Sequence, residues 1–125
     1  MIKKIQIGDY IFNAKIVSTS EDTQNGMMNS HFDRNFNAMF FVLSENKMQS
    51  FWMKNCIIPL DMIFIDKNMV ITTIQHSCMP CNYELNDNYI CPNYSGFGNF
   101  VVEVEGGTCK RLNIMENQEI KIFNY

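Results

Sequence analysis

The chain has 125 residues, of which 46% are hydrophobic and 18% are charged, and its net charge is -3. This length predicts one domain over residues 1–125, and the apolar content suffices for a packed core, which excludes a disordered chain. The acidic balance, with a pI near 5.3, argues against a protein that grips the nucleic-acid backbone, because such proteins are usually basic.

Short runs in which apolar and polar side chains alternate, separated by turn residues, fill most of the chain. Capping and acidic residues after Val17 predict a short helix over 20–28, and Thr108 is predicted to cap a second helix through Asn113. Residues 44–47 are predicted to form a turn, and residues 76–98 a long irregular loop. The predicted strands are 2–7, 10–17, 38–43, 48–54, 60–66, 69–75, 100–105 and 118–123.

The run LDMIFID at residues 60–66 is apolar on both faces, which predicts a central strand buried on two sides. About eight short strands and two short helices make the predicted fold class mostly β (α+β). Closure removes exposed strand edges, so we expect a small, closed or nearly closed β-barrel.

The N-terminus carries Lys3 and Lys4, but Gln6 and Asp9 interrupt the apolar run that follows. A signal peptide needs about 7–15 continuous apolar residues, and a membrane span needs about 18. We therefore expect an intracellular protein with reduced thiols and no membrane span. Export by a route that the N-terminus does not encode stays open.

A motif in the middle of the chain resembles a known family. Residues 51–66 read FWMKNCIIPLDMIFID, which is similar to the pattern F-W-M-K-N-T-x-I-P-L-D-x-x-F-I-D of the domain of unknown function 192 (DUF192) family. Weaker similarities flank this block in the family's order, from about residue 10 to 123. They are Gly26-Met27-Met28, Ala38-Met39-Phe40-Phe41, Pro80-Cys81, Cys91-Pro92-Asn93-Tyr94, 102–107 and 112–114.

The resemblance implies a small, mostly β barrel and no established reaction, and many members look exported. The chain also departs from the family. Ser30 stands where the family usually has Arg, which removes support for an anion-binding role there, and Ala38 and Asn117 replace glycines. Asn117 is still expected in a left-handed turn.

Polar residues surround the central motif, and they form the first candidate site. Asp61 begins a strand that is otherwise apolar, so its carboxylate should be paired or lie at the barrel mouth. We expect a salt bridge with Lys54 across the intervening loop. That cluster either binds a ligand, together with Trp52 and Asn55, or is a structural ion pair that pins the loop.

The long loop contains His76, Cys78, Cys81 and Cys91, four residues that zinc accepts as ligands. No metal or other cofactor is favoured, because Cys78 and Cys81 form one closely spaced pair of ligands and the rest of the loop has no second such pair. Zinc is the alternative. The resemblance matches Cys81 and Cys91, which makes a disulfide between them the competing interpretation; unlinked thiols are the third. The spacing Cys78-Met79-Pro80-Cys81 is similar to thioredoxin-like motifs, but residues 82–88 are poor helix formers.

Glu103 and Tyr94 complete the ligand-binding candidates, Tyr94 because a buried phenol near a pocket needs a polar partner. Glu103 and Glu105 are acids at alternate strand positions, which favours a solvent-facing pair over acid–base chemistry. No catalytic residue is assigned, since no nucleophile constellation is present.

We predict a non-enzymatic module that binds an unknown small ligand or protein. The alternatives are a structural subunit of a larger assembly and a hydrolase using Asp61, Glu103 and Lys54 at one barrel mouth.

Overall fold

The computed structural model describes residues 1–82 and 90–123, and within these ranges the chain forms seven strands and two short helices. No helix among the described residues is long and apolar enough to cross a membrane. In chain order the elements are β1 (Ile2–Ile7), β2 (Tyr10–Val17), α1 (Ser20–Asn25), β3 (Ala38–Trp52), β4 (Leu60–Ile65), β5 (Ile71–Cys78), β6 (Asn93–Glu105), α2 (Thr108–Leu112) and β7 (Ile120–Ile122).

The strands form one sheet in the order β5-β4-β6-β3-β2-β1-β7, in which only β2 and β3 pair in parallel. The sheet curls into a half-barrel and stays open. Of the expected closed or nearly closed barrel of about eight strands, the mostly β content and the two short helices are confirmed, and the closure is wrong. Its outer strands meet at one end only, where the Ile71 amide donates to the Gln118 carbonyl at 2.9 Å and Val70 bridges Glu119.

The strand count differs because β3 is one strand of 15 residues, where a turn at residues 44–47 was expected. The polar residues 44–47 belong to a largely exposed part of this strand and do not form a turn. The pairing of β3 with β6 shifts register between Val42 and Lys47 and then resumes. The longer β5 and β6 also leave less irregular chain after Cys78 than predicted, and residues 83–89 lie outside the described part.

The central strand β4 is buried at all six positions, as its apolar sequence predicts. Side chains alternate along a strand, so the sheet has an apolar cluster on each face. We call them the first cluster and the second cluster. The first contains Phe40, Ile63, Val102, Val104 and, from α2, Cys109. The second contains Phe41, Met62, Phe64, Val101 and, from the turn after α1, Met27.

The two helices begin in different ways. Thr19 caps α1 by accepting a hydrogen bond from the Asp22 amide, as Ser, Thr, Asp and Asn do at this position. The helix ends before Gly26, whose φ is 45°, and is shorter than predicted. The cap of α2 is Gly107 and makes no side-chain hydrogen bond, so the prediction that Thr108 caps this helix is wrong.

Candidate functional site

A cleft of about 220 Å³ opens over the second cluster. One wall is the end of α1 with its following turn, residues 23–28, and the other is β3 at Phe41 and residues 50–52. Lys54, Cys56 and Glu103 complete the lining. Three of the predicted site residues therefore share one cleft: Trp52, Lys54 and Glu103.

Backbone contacts hold the two walls together. Met28 forms a β-bridge with Cys56, and the Asn29 amide donates to the Asn55 carbonyl at 2.8 Å. Gly26 turns the chain between α1 and this bridge with a positive φ, which glycine adopts without a steric penalty. The cleft is thus formed by segments nearly thirty residues apart in the chain, tied together by their main chains.

Aromatic rings make up much of the β3 wall. The rings of Phe41 and Phe51 meet edge to face, with 5.2 Å between their centroids. The Lys54 ammonium lies 5.1 Å from the centre of the Trp52 ring, a cation–π distance. The wall is therefore apolar, and one of its rings already attracts a cation.

Glu103 brings a carboxyl group to this apolar cleft. It lies on β6 between Met39 of β3 and Met62 of β4, and only 3% of its surface is exposed. No residue in the described ranges donates a hydrogen bond to its carboxyl group. Burial raises the pKa of Glu103 from 4.5 to about 8, because the charged form loses its hydration. The prediction that Glu103 faces solvent is therefore wrong, while Glu105 is exposed.

Asp61 does not join this cleft. On β4 and β6, the pair of Asp61 with Val104 is next to the pair of Met62 with Glu103. Side chains at successive positions of a strand point to opposite faces, so Asp61 and Glu103 lie on opposite faces of the sheet. The Asp61 carboxylate accepts backbone hydrogen bonds at 2.8, 3.1 and 2.9 Å from Ser77, Gly107 and Cys109.

The expected ion pair between Asp61 and Lys54 is therefore wrong. Within the described ranges, the ion pair that the structure shows joins Lys47 and Glu45. Asp61 needs no cationic partner, because three backbone N–H groups satisfy its oxygens. The hydrolase alternative loses its basis as well, since Asp61 and Glu103 do not converge.

Asn55 and Tyr94 lie beside the cleft rather than in it. Asn55 has a φ of 57° and lines a small neighbouring depression with Asn29 and Ile57. Tyr94 pairs with Phe51 across β3 and β6 and packs, partly buried, against the second cluster.

Cys81 and Cys91 are joined by a disulfide, which departs from the expectation of reduced thiols. As a disulfide they offer no thiolates to zinc, and no group of three or more His, Cys, Asp and Glu side chains within 1–82 and 90–123 is arranged to hold a metal. Of the other two zinc candidates, Cys78 is buried and His76 is exposed.

The remaining thiols near the cleft have the character of unreactive core groups. Burial, and then the charge of Glu103, raises the pKa of Cys56 to about 12. The pKa of Cys78 rises to about 12 through burial and the charges of Asp61 and Glu103. Redox-active cysteines have lowered pKa values, so the similarity of Cys78 to a thioredoxin-like thiol has no chemical support.

The residues that sequence reasoning missed form the α1 wall and part of β3. Sequence periodicity gives α1 no role, since all six of its residues are polar. One signal was available: Gly26-Met27-Met28, which resembles the family's G-L-M element, supplies half of that wall.

Two solved structures share this fold. A protein of unknown function from Novosphingobium aromaticivorans DSM 12444 is 23% identical, with a TM-score of 0.79 over 97% of this chain and 84% of its own. A protein from Sinorhizobium meliloti 1021, provisionally named a transcription regulator, is 20% identical, with a TM-score of 0.81 over 98% of this chain and 94% of its own. At these identities the likeness establishes the fold alone.

No curated protein matches the chain. A family model for DUF192, described as an uncharacterized ACR, matches residues 3–122, nearly the whole length. This confirms the resemblance of the central motif, and the chain belongs to the DUF192 family.

Proposed function

We propose that the protein is a non-enzymatic binding module whose cleft takes up a small ligand that pairs with Glu103. The observation that carries this proposal is the position of Glu103, a buried carboxyl at an apolar cleft that receives no hydrogen bond from the described residues. Glu103 lines the cleft, so a ligand that donates a hydrogen bond to its carboxyl group supplies a partner that the described residues do not.

The dimensions of the cleft favour a small ligand. Its volume of about 220 Å³ lies below the roughly 300–1,000 Å³ of pockets for drug-sized ligands. Phe41, Phe51 and Met27 supply apolar contacts, and Glu103 supplies the orienting polar group. Apolar walls with a small number of well-placed polar groups, here Glu103 with Lys54 and Ser50, are typical of small-molecule sites.

Binding without catalysis is the simpler interpretation of these groups. Glu103 stands alone as a carboxyl in the lining, and Cys56, the one thiol there, has a pKa of about 12. A thiol with so high a pKa is almost fully protonated at neutral pH and is a poor nucleophile.

Blocking the cleft tests the proposal. Ser50 and Ser44 are both exposed on β3, but only Ser50 of the two lines the cleft. We expect Ser50→Trp to abolish binding of small molecules found in a fragment screen by ligand-observed NMR, while Ser44→Trp leaves it unchanged. Equal binding to both variants, or no fragment that binds the wild type, contradicts the proposal.

A structural subunit of a larger assembly is the second candidate. Met48 of β3 and Phe97 of β6 pair across the sheet, and 61% and 39% of their surfaces are exposed. A protein partner could bury these side chains. Analytical ultracentrifugation tests self-assembly: we expect a mass above 14.6 kDa if this candidate holds, and a return to the monomer with Met48→Ser.

A role in transcription, which the provisional name of the Sinorhizobium meliloti protein suggests, has no electrostatic support in this chain. The net charge is -3, and binding to the phosphate backbone depends on clustered Lys and Arg side chains. We do not adopt it as a candidate.

A further inference from the structure

We propose that the ligand of the cleft is a small protonated amine, whose ammonium group donates hydrogen bonds to Glu103 while its apolar part packs between Phe41, Phe51 and Met27. This inference rests on the proposed function and names the chemical class of the ligand.

The first argument is the hydrogen-bonding capacity of the carboxyl group. An ionised carboxylate only accepts hydrogen bonds, and an ammonium only donates them. Glu103 receives no donor from the described residues, so all of its acceptor sites are available to a ligand. Hydrogen bonds to an ionised group are about twice as strong as neutral ones, and an ammonium also neutralises the buried charge of the carboxylate, which a hydroxyl or an amide does not.

The second argument is the aromatic wall. The π faces of aromatic rings attract cations, and Phe41, Phe51 and Trp52 line the same cleft as Glu103. Trp52 already lies 5.1 Å from the Lys54 ammonium, which forms no ion pair with Glu103. The ring faces and an ionised Glu103 both repel an anionic ligand, whereas the Lys54 ammonium over Trp52 is the one charged group among the described lining residues that attracts an anion.

Binding of an amine is expected to release a proton. Burial raises the pKa of Glu103 to about 8, so the empty cleft holds a protonated carboxyl at pH 7. The ammonium keeps its protons, and the carboxyl proton leaves to solvent as the ion pair forms. The other titratable groups that face Glu103 are Lys54, Cys56 and Cys78; the two thiols, with pKa values of about 12, stay protonated.

The affinity for an amine should therefore depend on pH with a defined shape. Below pH 8 it rises up to about tenfold per pH unit, since one proton is released. It levels off above the pKa of Glu103 and falls again when the amine loses its own proton, at about pH 10 for an alkylamine that resembles the lysine side chain.

Isosteric pairs of probes test this inference. Butylamine and benzylamine are titrated into the full chain and followed by amide chemical shifts, beside butanol and benzyl alcohol. We expect each amine to bind at least tenfold tighter than its alcohol at pH 8. Calorimetry at pH 7 in two buffers of different ionisation enthalpy should show close to one proton released per amine bound.

The matched variant is Glu103→Gln, which keeps the shape of the side chain and removes its charge. We expect it to weaken amine binding at least tenfold and to remove the pH dependence of the affinity. The proton-release measurement uses the wild type, so it decides the question even if the variant does not fold.

The outcomes separate this inference from the proposed function. Alcohols that bind as tightly as amines, or amine binding without proton release, overturn the amine inference and leave the cleft as a ligand site. If other fragments bind and both amines do not, the amine inference is likewise overturned and the cleft remains a ligand site. If no small molecule binds the wild type, both proposals fail.

Discussion

Asp61 and Glu103 lie on neighbouring strands of one sheet and are both buried, with exposed fractions of 0% and 3%, yet their surroundings differ. The Asp61 oxygens accept three backbone hydrogen bonds, two of them from the residues that begin α2. Glu103, on the opposite face, receives none from the described residues and lines an open cleft beside α1.

The difference shows what distinguishes a structural carboxyl group from a candidate binding group. Burial is nearly the same for both, so burial does not separate them. The hydrogen-bond donors separate them: Asp61 is satisfied within the fold and accepts from the residues that begin α2, whereas Glu103 receives no donor from the described residues. The two helices differ in the same way. The start of α2 donates hydrogen bonds to the Asp61 carboxylate, whereas α1 supplies one wall of the cleft that Glu103 lines.

The largest expected effect concerns the ionisation of Glu103. Its pKa is 4.5 in an ordinary environment and about 8 in the fold. Between these pH values the folded state keeps a proton that the unfolded state has released, so raising the pH favours unfolding. The free energy of unfolding should fall by about 1.4 kcal/mol per pH unit across this window, roughly 5 kcal/mol in all.

Glu103→Gln is the control for this effect, since its amide mimics the protonated carboxyl. Urea unfolding should give similar stabilities for the two proteins at pH 4 and an advantage for Glu103→Gln that grows up to about pH 8 and then stays constant. A difference that does not change with pH would mean that a partner compensates the charge of Glu103, and the contrast with Asp61 would disappear.

The next largest effect is expected on the other face. Asp61→Ala leaves three amides without an acceptor, at one buried and two partly buried hydrogen bonds, and we expect a loss of about 4 kcal/mol in the free energy of unfolding. Asp66, just beyond the other end of β4, accepts from the Asn68 and Val70 amides at a partly exposed turn, so Asp66→Ala should cost only about 1 kcal/mol. Urea unfolding compares the two variants, and equal losses would show that burial of the Asp61 hydrogen bonds adds nothing.

Local pattern predicts the elements whose pairing is local. The alternation over residues 2–17 gives β1 and β2 with their intervening turn at the observed bounds, because a hairpin needs only neighbouring sequence. Asn117 has the predicted left-handed conformation, with a φ of 73°. The polar residues in the middle of β3 were misinterpreted because an exposed strand and a turn have similar compositions.

The roles of Asp61 and Glu103 could not be predicted in this way. Alternation places Glu103 opposite Val102 and Val104 correctly, but it cannot show that α1 and its turn cover that face as well. Asp61 was assigned a cation because its donors, Gly107 and Cys109, lie 46 and 48 residues away. Both errors concern tertiary neighbours, on which the environment of a polar side chain depends.

The disulfide gives a smaller effect, on the Glu103 face. Cys81 exchanges backbone hydrogen bonds with Met53 and Asn55, next to the cleft residue Lys54. Cys81 and Cys91 are 10 positions apart, and closing a loop of this size stabilises the fold by about 3 kcal/mol in the chain-entropy description. We expect the double variant Cys81→Ser/Cys91→Ser to lose this amount in urea unfolding.

Reduced wild-type protein is the control, and its stability should equal that of the double variant. Amide shift changes should be concentrated at residues 53–56 and be small at α2, since both cysteines belong to the second cluster. Changes of equal size at α2 would show that the two faces are coupled, contrary to the comparison.

The smallest effect tests the cap that begins α1. Thr19 accepts a hydrogen bond from the Asp22 amide at 3.1 Å, and Thr19→Ala should lower the free energy of unfolding by about 1 kcal/mol. Ser20→Ala, in the first turn of the same helix, should change it by less than about 0.5 kcal/mol. Hydrogen exchange should speed up at Asp22 in Thr19→Ala and stay unchanged at Cys109, whose amide Asp61 holds. If neither variant changes exchange at Asp22, α1 is held by the bridge of Met28 with Cys56 rather than by its cap, and the cleft wall is as firmly anchored as the helix on the opposite face.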